Sequence, residues 1–157
     1  MTLDLVAIEL IKQLKYTYCR ALDTANLDLL ASLLTEDISI DFKGATYHIQ
    51  ANGRDEVIAT LGAFFHSQFV GCHTPQMPVI TVHDETSAEG LWRLADYACD
   101  LSADNLTTVG ACEYTDRYRF EDGRWKIQTS SYTRLFERTF NDPDPGVKFH
   151  YLEVLER

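Results

Sequence analysis

The chain begins with apolar residues spaced as in a helix. They recur every three or four positions from residue 4 to residue 22, which predicts one amphipathic helix with a face to bury. A second helix is predicted over LDLLASLL, with Asn26 as its N-cap and its end near Thr35. A third is predicted within residues 53–69, ending before Gly71. The residues that carry the first and third patterns are Ala7, Ile11, Leu14, Tyr18, Val57, Leu61, Phe64 and Phe65.

Strand patterns make up the rest of the ordered sequence. Residues 38–42 alternate apolar and polar side chains and are predicted to form a hairpin with residues 45–50 across Lys43 and Gly44. Turn signals at HDET and EDG separate long strands. Three helices followed by an antiparallel meander define an α+β fold, in which the helices pack on one face of a strongly curved, mainly antiparallel sheet. The sequence therefore predicts a cone-shaped α+β barrel. Its long strands are predicted at residues 73–83, 87–101, 106–121 and 124–134.

Length and composition fit one domain. A chain of 157 residues with 45% apolar residues can bury a single core, so residues 1–157 are predicted to form one domain with its core at about 5–135. The segment NDPDPG is predicted to be a loop, since its prolines and glycine cannot continue a strand ladder. The tail, residues 141–157, is predicted to cover the mouth of the cone or to contact another subunit.

The charge of the chain excludes several classes of partner. Its net charge is −10 and no cluster of Lys or Arg interrupts the acidic surface. Nucleic acid, anionic membranes and strongly anionic substrates are therefore disfavoured. The first helical stretch carries Asp4, Glu9, Lys12 and Lys15, so it is neither a signal peptide nor a membrane span, and a cytoplasmic location is expected.

Neither a metal nor a cofactor is expected. The cysteines lie far apart without a C-x-x-C pair and are expected to be reduced and mostly buried. The phosphate-binding, dinucleotide-binding and zinc-protease motifs are all absent from the sequence. The cysteines are Cys19, Cys72, Cys99 and Cys112.

Asp23 stands where the first helix should end. The last turn of a helix carries partial negative charge from unpaired carbonyl groups, so a carboxylate there needs another partner. One interpretation is that Asp23 organises the DTAN turn by accepting from backbone N–H groups. The other is that it points inward and holds a histidine. His73, in GCHTPQMP at the start of a long strand, is the best candidate; its alternative role is a core histidine bonded to a backbone carbonyl.

Two further acids lie on strand faces that carry large apolar side chains. Asp96 shares one face with Trp92 and Leu94, although the opposite face of this strand is also apolar and either one can line the core. An acid on an apolar face must be paired, protonated or functional. Asp116 lies among aromatic residues on the next strand and is expected to pair with an arginine such as Arg134.

Three stretches together resemble a known family. LKYTYCRALDTANLDLLASLLTEDISIDF, GCHTPQMPVITVHDETSAEG and YTDRYRFEDGRWKIQTSSYTR resemble the SnoaL-like branch of the nuclear-transport-factor-2-like superfamily, with most similarity to its scytalone and bile-acid dehydratases. The resemblance implies a cone-shaped fold, a deep pocket for a hydrophobic small molecule, no metal, and a homodimer or homotrimer.

The resemblance also implies site residues. Asp23 and His73 match the dyad of the dehydratases, Tyr18 matches a tyrosine five residues before the aspartate, and Asp96 matches a mid-strand aspartate. Substrate contacts are expected from Trp92, Tyr114 and Arg134, the last being an approximate match to an arginine of the bile-acid enzyme. The sequence departs from scytalone dehydratase in lacking a second histidine within TVGACEYTD and in having Leu22 where that enzyme has a tyrosine.

These residues predict a cofactor-free lyase or isomerase that eliminates water from a hydroxylated cyclic ketone of polyketide or steroid type. His73 would remove a proton, Asp23 would stabilise the imidazolium, Tyr18 would donate to the enolate, and Asp96, if protonated, would assist the departing hydroxyl. The alternatives are a noncatalytic binding module or assembly subunit, such as the small subunit of a ring-hydroxylating dioxygenase, and a polyketide cyclase.

Overall fold

The computed structural model describes residues 4–141, so the predictions for the tail beyond Asn141 lie outside the described residues. Within this part of the chain no helix is long and apolar enough to cross a membrane. The elements are α1 (Leu5–Asp23), α2 (Leu27–Ser32), β1 (Leu34–Lys43), β2 (His48–Asn52), α3 (Arg54–Gly62), β3 (Phe69–Val82), β4 (Ser87–Asp100), β5 (Leu106–Glu121) and β6 (Arg124–Phe140).

The first two helices start at side-chain caps. Asp4 accepts from the backbone N–H of Ala7 at 2.9 Å, and Asn26 accepts from the backbone N–H of Leu29 at 2.9 Å. The prediction that the second helix reaches Thr35 is wrong, because β1 already begins at Leu34. Leu34 is 2% exposed and pairs with β6, so burial in the sheet outweighs its helical propensity.

One mixed sheet contains all the strands of the described chain, in the order β2-β1-β6-β5-β4-β3. β1 runs parallel to β6, and the other neighbours are antiparallel. The β1–β2 hairpin joins Lys43 to His48 through a longer turn than predicted, and β6 continues to Phe140, beyond the predicted end at residue 134. These shifts bring the turn at 44–47 and the end of β6 to one wall of the interior.

The third helix is shorter than predicted. It ends at Gly62, and Phe64 and Phe65 lie in the turns that lead to β3. The Phe65 ring packs edge-on against Phe69, with 4.8 Å between ring centroids, and against His73, at 5.7 Å. Phe65 thereby packs against the interior, whereas Phe64 lines the cavity described below and is 49% exposed.

One face of β4 lines the core and the other faces outward. Trp92, Leu94 and Asp96 point towards the helices and are nearly fully buried, whereas Leu91 on the opposite face is 52% exposed. Asp116 and Tyr118 of β5 lie on the same inner face. The core therefore fills the concave side of the sheet beneath α1 and α3.

Candidate active site

Asp23 and His73 form a direct pair. The His73 Nδ1 atom lies 2.5 Å from Asp23 Oδ1, and the backbone N–H of His73 donates to Asp23 Oδ2 at 3.0 Å. A carboxylate accepts hydrogen bonds, so the neutral imidazole carries its proton on Nδ1 and leaves the Nε2 lone pair free. The His73 side chain is 9% exposed and that of Asp23 is 21% exposed. The pair can accept a proton at Nε2 and stabilise the resulting positive charge.

The fold explains why the two residues meet. β3 is an edge strand, so backbone N–H groups on its outer side have no strand partner. Asp23 is the last residue of α1. One of its carboxylate oxygens accepts from the backbone N–H of His73, and the other contacts the His73 imidazole. The DTAN turn is closed by backbone bonds, such as those from Thr24 to Arg20 and from Asn26 to Ala21.

Gly71 provides the space for this contact. A Cβ atom added at this position would lie 2.5 Å from Asp23 Oδ1 and 2.5 Å from the Phe69 ring. Atoms cannot approach this closely, so the absence of a side chain at Gly71 is required for the observed position of the carboxylate. Gly71 and His73 therefore both determine the position of the Asp23 carboxylate.

A second ionic pair lies beside the imidazole. Asp96 is the cross-strand neighbour of His73 and accepts from Arg134 Nη1 at 2.5 Å and Nη2 at 2.8 Å. Burial alone would lower the pKa of Arg134, but its hydrogen bonds to Asp96 and Tyr47, together with the charge of Asp96, outweigh burial and raise the pKa. A carboxylate that accepts with both oxygens from a cation is ionised. The expectation that a protonated Asp96 assists a departing hydroxyl is therefore wrong.

Asp116 has a different partner from the one predicted. It pairs with Lys15 at 2.7 Å, and both side chains are 0% exposed. Ser130 Oγ donates to Asp116 Oδ1 at 2.7 Å, and Tyr118 OH donates to Oδ2 at 2.9 Å. The predicted ion pair with Arg134 is wrong, because Arg134 contacts Asp96 instead. Asp116 thus has a structural role and does not line the cavity described next.

A mainly apolar cavity of about 400 Å³ opens beside His73. Its volume is typical of a small-molecule site. Its apolar lining residues come from both the helices and the sheet. His73, Asp96 and Arg134 supply polar groups. Its apolar wall includes Leu22, Phe42, Ile49, Leu61, Phe64, Phe65, Phe69, Leu94 and Leu106.

Of the remaining predicted site residues, two line the cavity and one does not. Tyr18 and Tyr114 line the cavity, and the Tyr18 hydroxyl is buried without a hydrogen-bond partner in the described residues. Burial raises the pKa of Tyr18 well above its usual value, so this hydroxyl keeps its proton and can donate a hydrogen bond. Trp92 does not line the cavity; its Nε1 donates to Tyr118 OH at 2.8 Å under the Tyr16 ring. The expectation that Trp92 contacts the substrate is wrong.

The structure adds residues that sequence reasoning missed. Tyr47, in the hairpin turn, and Tyr132, on β6, line the cavity and bond to each other, and Glu137 lies on the part of β6 beyond its predicted end. A turn tyrosine carries no sequence signal of a site. Lys15, in contrast, interrupts the apolar stripe of α1 between Ile11 and Tyr18, which is a signal of a buried charge.

Nothing in residues 4–141 groups three or more His, Cys, Asp or Glu side chains in a way that could hold a metal ion. Cys19, Cys99 and Cys112 are buried and Cys72 is exposed, all as free thiols. Burial raises the pKa of Cys112, which lines the cavity, to about 12, so it is a thiol and not a nucleophilic thiolate at neutral pH.

Comparison with known proteins defines the class. Residues 4–131 match the SnoaL-like domain, and the protein belongs to this family of the nuclear-transport-factor-2-like superfamily. A proposed scytalone dehydratase from Novosphingobium aromaticivorans has a TM-score of 0.75 and 22% identity, covering 87% of this chain and 89% of that chain. A proposed aromatic ring hydroxylase from the same organism has a TM-score of 0.79 and 16% identity, covering 88% and 96%.

A third similar structure is the hexachlorocyclohexane dehydrochlorinase LinA-type3 from Novosphingobium barchaimii. Its TM-score is 0.75 at 16% identity, and the match covers 94% of this chain and 96% of that chain. At these identities the likenesses show a shared fold. They confirm the predicted class, an α+β cone with helices packed on a curved sheet.

Proposed function

We propose that this protein is a cofactor-free lyase that eliminates water from a hydroxylated cyclic ketone of polyketide or steroid type. The observation that carries the proposal is the 2.5 Å contact between Asp23 and His73 at the wall of an apolar cavity. Two of the similar structures bear the names of enzymes that eliminate a small molecule, a dehydratase and a dehydrochlorinase. Elimination therefore fits both the residues and the family.

In this mechanism His73 is the general base. Its Nε2 atom takes the proton from the carbon next to the carbonyl group, and the C–H electron pair forms the enolate. The Asp23 carboxylate accepts from Nδ1–H and stabilises the imidazolium. The negative charge of Asp96, on the neighbouring strand, is neutralised by its pair with Arg134, so the stabilising charge comes from Asp23. Positive charge develops on a ring that is already bonded to the Asp23 carboxylate, so little reorganisation is needed.

Tyr18 and His73 complete the elimination. The protonated Tyr18 hydroxyl donates a hydrogen bond to the enolate oxygen. The enolate then forms the carbon–carbon double bond as the carbon–oxygen bond of the β-hydroxyl breaks, and the imidazolium returns its proton to the departing hydroxide, giving water. The dyad thus acts first as base and then as acid, and Asp96 has no proton-transfer role.

The test uses a tetralone with a hydroxyl group β to its carbonyl, whose dehydration gives a naphthol. The product is aromatic and strongly fluorescent, so it can be followed continuously against the uncatalysed reaction in buffer. We expect the wild-type protein to accelerate naphthol formation. A protein that binds the ketone but forms no naphthol above background would be a binding module, and the lyase proposal would be rejected.

Gly71→Ala tests the position of the dyad without changing either of its members. The added methyl group would occupy space now filled by the Asp23 carboxylate and the Phe69 ring, and must displace one of them. We expect turnover of the hydroxytetralone to fall about 10²-fold, since displacing a catalytic group by about 1 Å has effects of this size. Cys72→Ala, one residue away at an exposed position, is the matched control and should retain its activity.

The proposed partner is a hydrophobic small molecule. The association as a homodimer or homotrimer implied by the family, and the cytoplasmic location, remain predictions, and light scattering of the purified protein measures the first of them.

A further inference from the structure

Two tyrosine hydroxyls and one guanidinium form a chain at the cavity wall built by β6 and the β1–β2 turn. Arg134 Nε donates to Tyr47 OH at 3.1 Å, and Tyr47 OH lies 2.7 Å from Tyr132 OH. The Tyr132 ring stacks on Phe42, with 4.4 Å between centroids and an angle of 15° between the rings. All of these residues line the cavity. The chain is therefore positioned by packing as well as by hydrogen bonds.

Counting hydrogens shows that this chain has a donor to spare. Arg134 always donates, so Tyr47 OH is an acceptor in that bond. The bond between Tyr47 and Tyr132 uses one hydroxyl hydrogen, whichever tyrosine supplies it. Two hydroxyls carry two hydrogens, so one remains, and within residues 4–141 no acceptor for it is found. Burial and the bond to Tyr47 raise the pKa of Tyr132, so its proton is retained.

The charges nearby select the kind of acceptor. Arg134 is paired with Asp96 through both of its terminal nitrogens, and Glu137 Oε2 lies 3.8 Å from Arg134 Nε. One cation faces two carboxylates, which leaves an excess of negative charge. A carboxylate or phosphate on the ligand would be repelled here, whereas a neutral carbonyl oxygen can accept the spare hydrogen without that penalty.

The two tyrosines lie on a different wall from the dyad, and Arg134 links Tyr47 to Asp96. His73 is on β3 and Tyr132 is on β6, with β4 and β5 between them in the sheet. We propose that Tyr47 and Tyr132 form a second recognition subsite, which binds a neutral carbonyl oxygen at the end of the substrate remote from the reacting carbon. The inference rests on the proposed function, because the reacting carbon of the substrate is taken to lie next to the Asp23–His73 dyad. The substrate class is thereby narrowed to cyclic ketones with two separated oxygen functions.

Matched probes test the subsite by binding alone. The probes are tetralones that carry an acetyl, an isopropyl or a carboxylate group on the ring position furthest from the carbonyl. Acetyl and isopropyl have similar shapes, but only acetyl accepts a hydrogen bond. We expect wild-type protein to bind the acetyl probe about threefold to tenfold more tightly than the isopropyl probe, the range of one neutral hydrogen bond. The carboxylate probe should bind more weakly than either.

The informative variant is Tyr47→Phe/Tyr132→Phe, because either hydroxyl can supply the spare hydrogen. We expect the preference for acetyl over isopropyl to disappear, while the affinity for the isopropyl probe stays and reports an intact cavity. His73→Gln is the control and should keep the preference. Equal wild-type affinity for the two probes, a preference that survives in the double variant, or tighter binding of the carboxylate would each overturn the proposal.

These outcomes are independent of catalysis. An acetyl preference that depends on the tyrosines supports the subsite even if no hydroxytetralone is dehydrated, in which case only the lyase proposal fails. Dehydration that depends on His73, without any acetyl preference, supports the lyase and rejects the subsite.

Discussion

His73→Gln should lower the rate of hydroxytetralone dehydration by about 10² to 10⁴, the usual contribution of a positioned general base. Glutamine can still donate a hydrogen bond to Asp23 through its side-chain amide, but it has no nitrogen lone pair able to take a proton. Because the side chain is of similar size and the cavity wall is otherwise unchanged, the loss should appear in kcat, with KM nearly constant. Stopped-flow or steady-state fluorescence of the naphthol measures both constants.

The control for this variant is His83→Gln. His83 follows β3, has a half-exposed side chain near Glu89, and lies outside the cavity. It should keep the wild-type rate, and thermal unfolding should show both variants folded. If His73→Gln retained more than half of the wild-type kcat, His73 would not be the base, and the proposed mechanism would be wrong.

Lys15→Met should lower the free energy of unfolding by about 3 to 5 kcal/mol. Lys15 and Asp116 are both fully buried, and removing the cation leaves a carboxylate in the core with only Ser130 and Tyr118 as donors. Breaking one side of a buried ion pair has effects of this size, because the remaining charge stays desolvated. The Lys15 ammonium also lies 3.6 Å from the centre of the Tyr114 ring, so a contact to a cavity wall is lost as well.

Lys12→Met is the matched control for the buried lysine. Lys12 lies one turn earlier on the same helix and pairs with Glu9 at 3.1 Å on the exposed surface. An exposed pair contributes about 0 to 1 kcal/mol, so urea unfolding should separate the two variants by at least about 2 kcal/mol. Similar stabilities of Lys15→Met and Lys12→Met would show that the Lys15–Asp116 pair is not important for the core.

Local patterns identified both members of the dyad as candidates. Asp23 could be placed at the end of a helix by the apolar period before it. His73 was correctly placed on a strand, although that strand begins at Phe69 and not at the predicted residue 73. A carboxylate at a helix C-terminus needs a partner, and His73 was the best candidate by its position. The family resemblance then matched the two residues to a dyad. The described geometry puts their side chains in contact. Both residues are therefore accessible to reasoning that uses sequence alone.

Features that depend on distant pairing were not predictable in this way. The partners of Asp116 and Arg134 depend on how deep in the cone each acidic side chain lies. The strand period gives the face on which a residue lies but not its depth. The strand period left open which face of β4 lines the core. Trp92 shares the inner face with Asp96 but lies four residues away along β4, where Tyr16 of α1 covers the sheet and the cavity does not reach. Tyr47 lies in a hairpin turn, and its contact with Tyr132 requires the parallel pairing of β1 with β6.

The measurement that tests the dyad most directly is ¹⁵N NMR of the imidazole rings, with the His73 signals assigned from their absence in His73→Gln. At a pH at which the ring is neutral, we expect Nδ1 of His73 to carry the proton and Nε2 to have the chemical shift of an unprotonated ring nitrogen. A neutral His73 with its proton on Nε2 would contradict the account, because the nitrogen that faces the cavity would then have no lone pair to accept a proton.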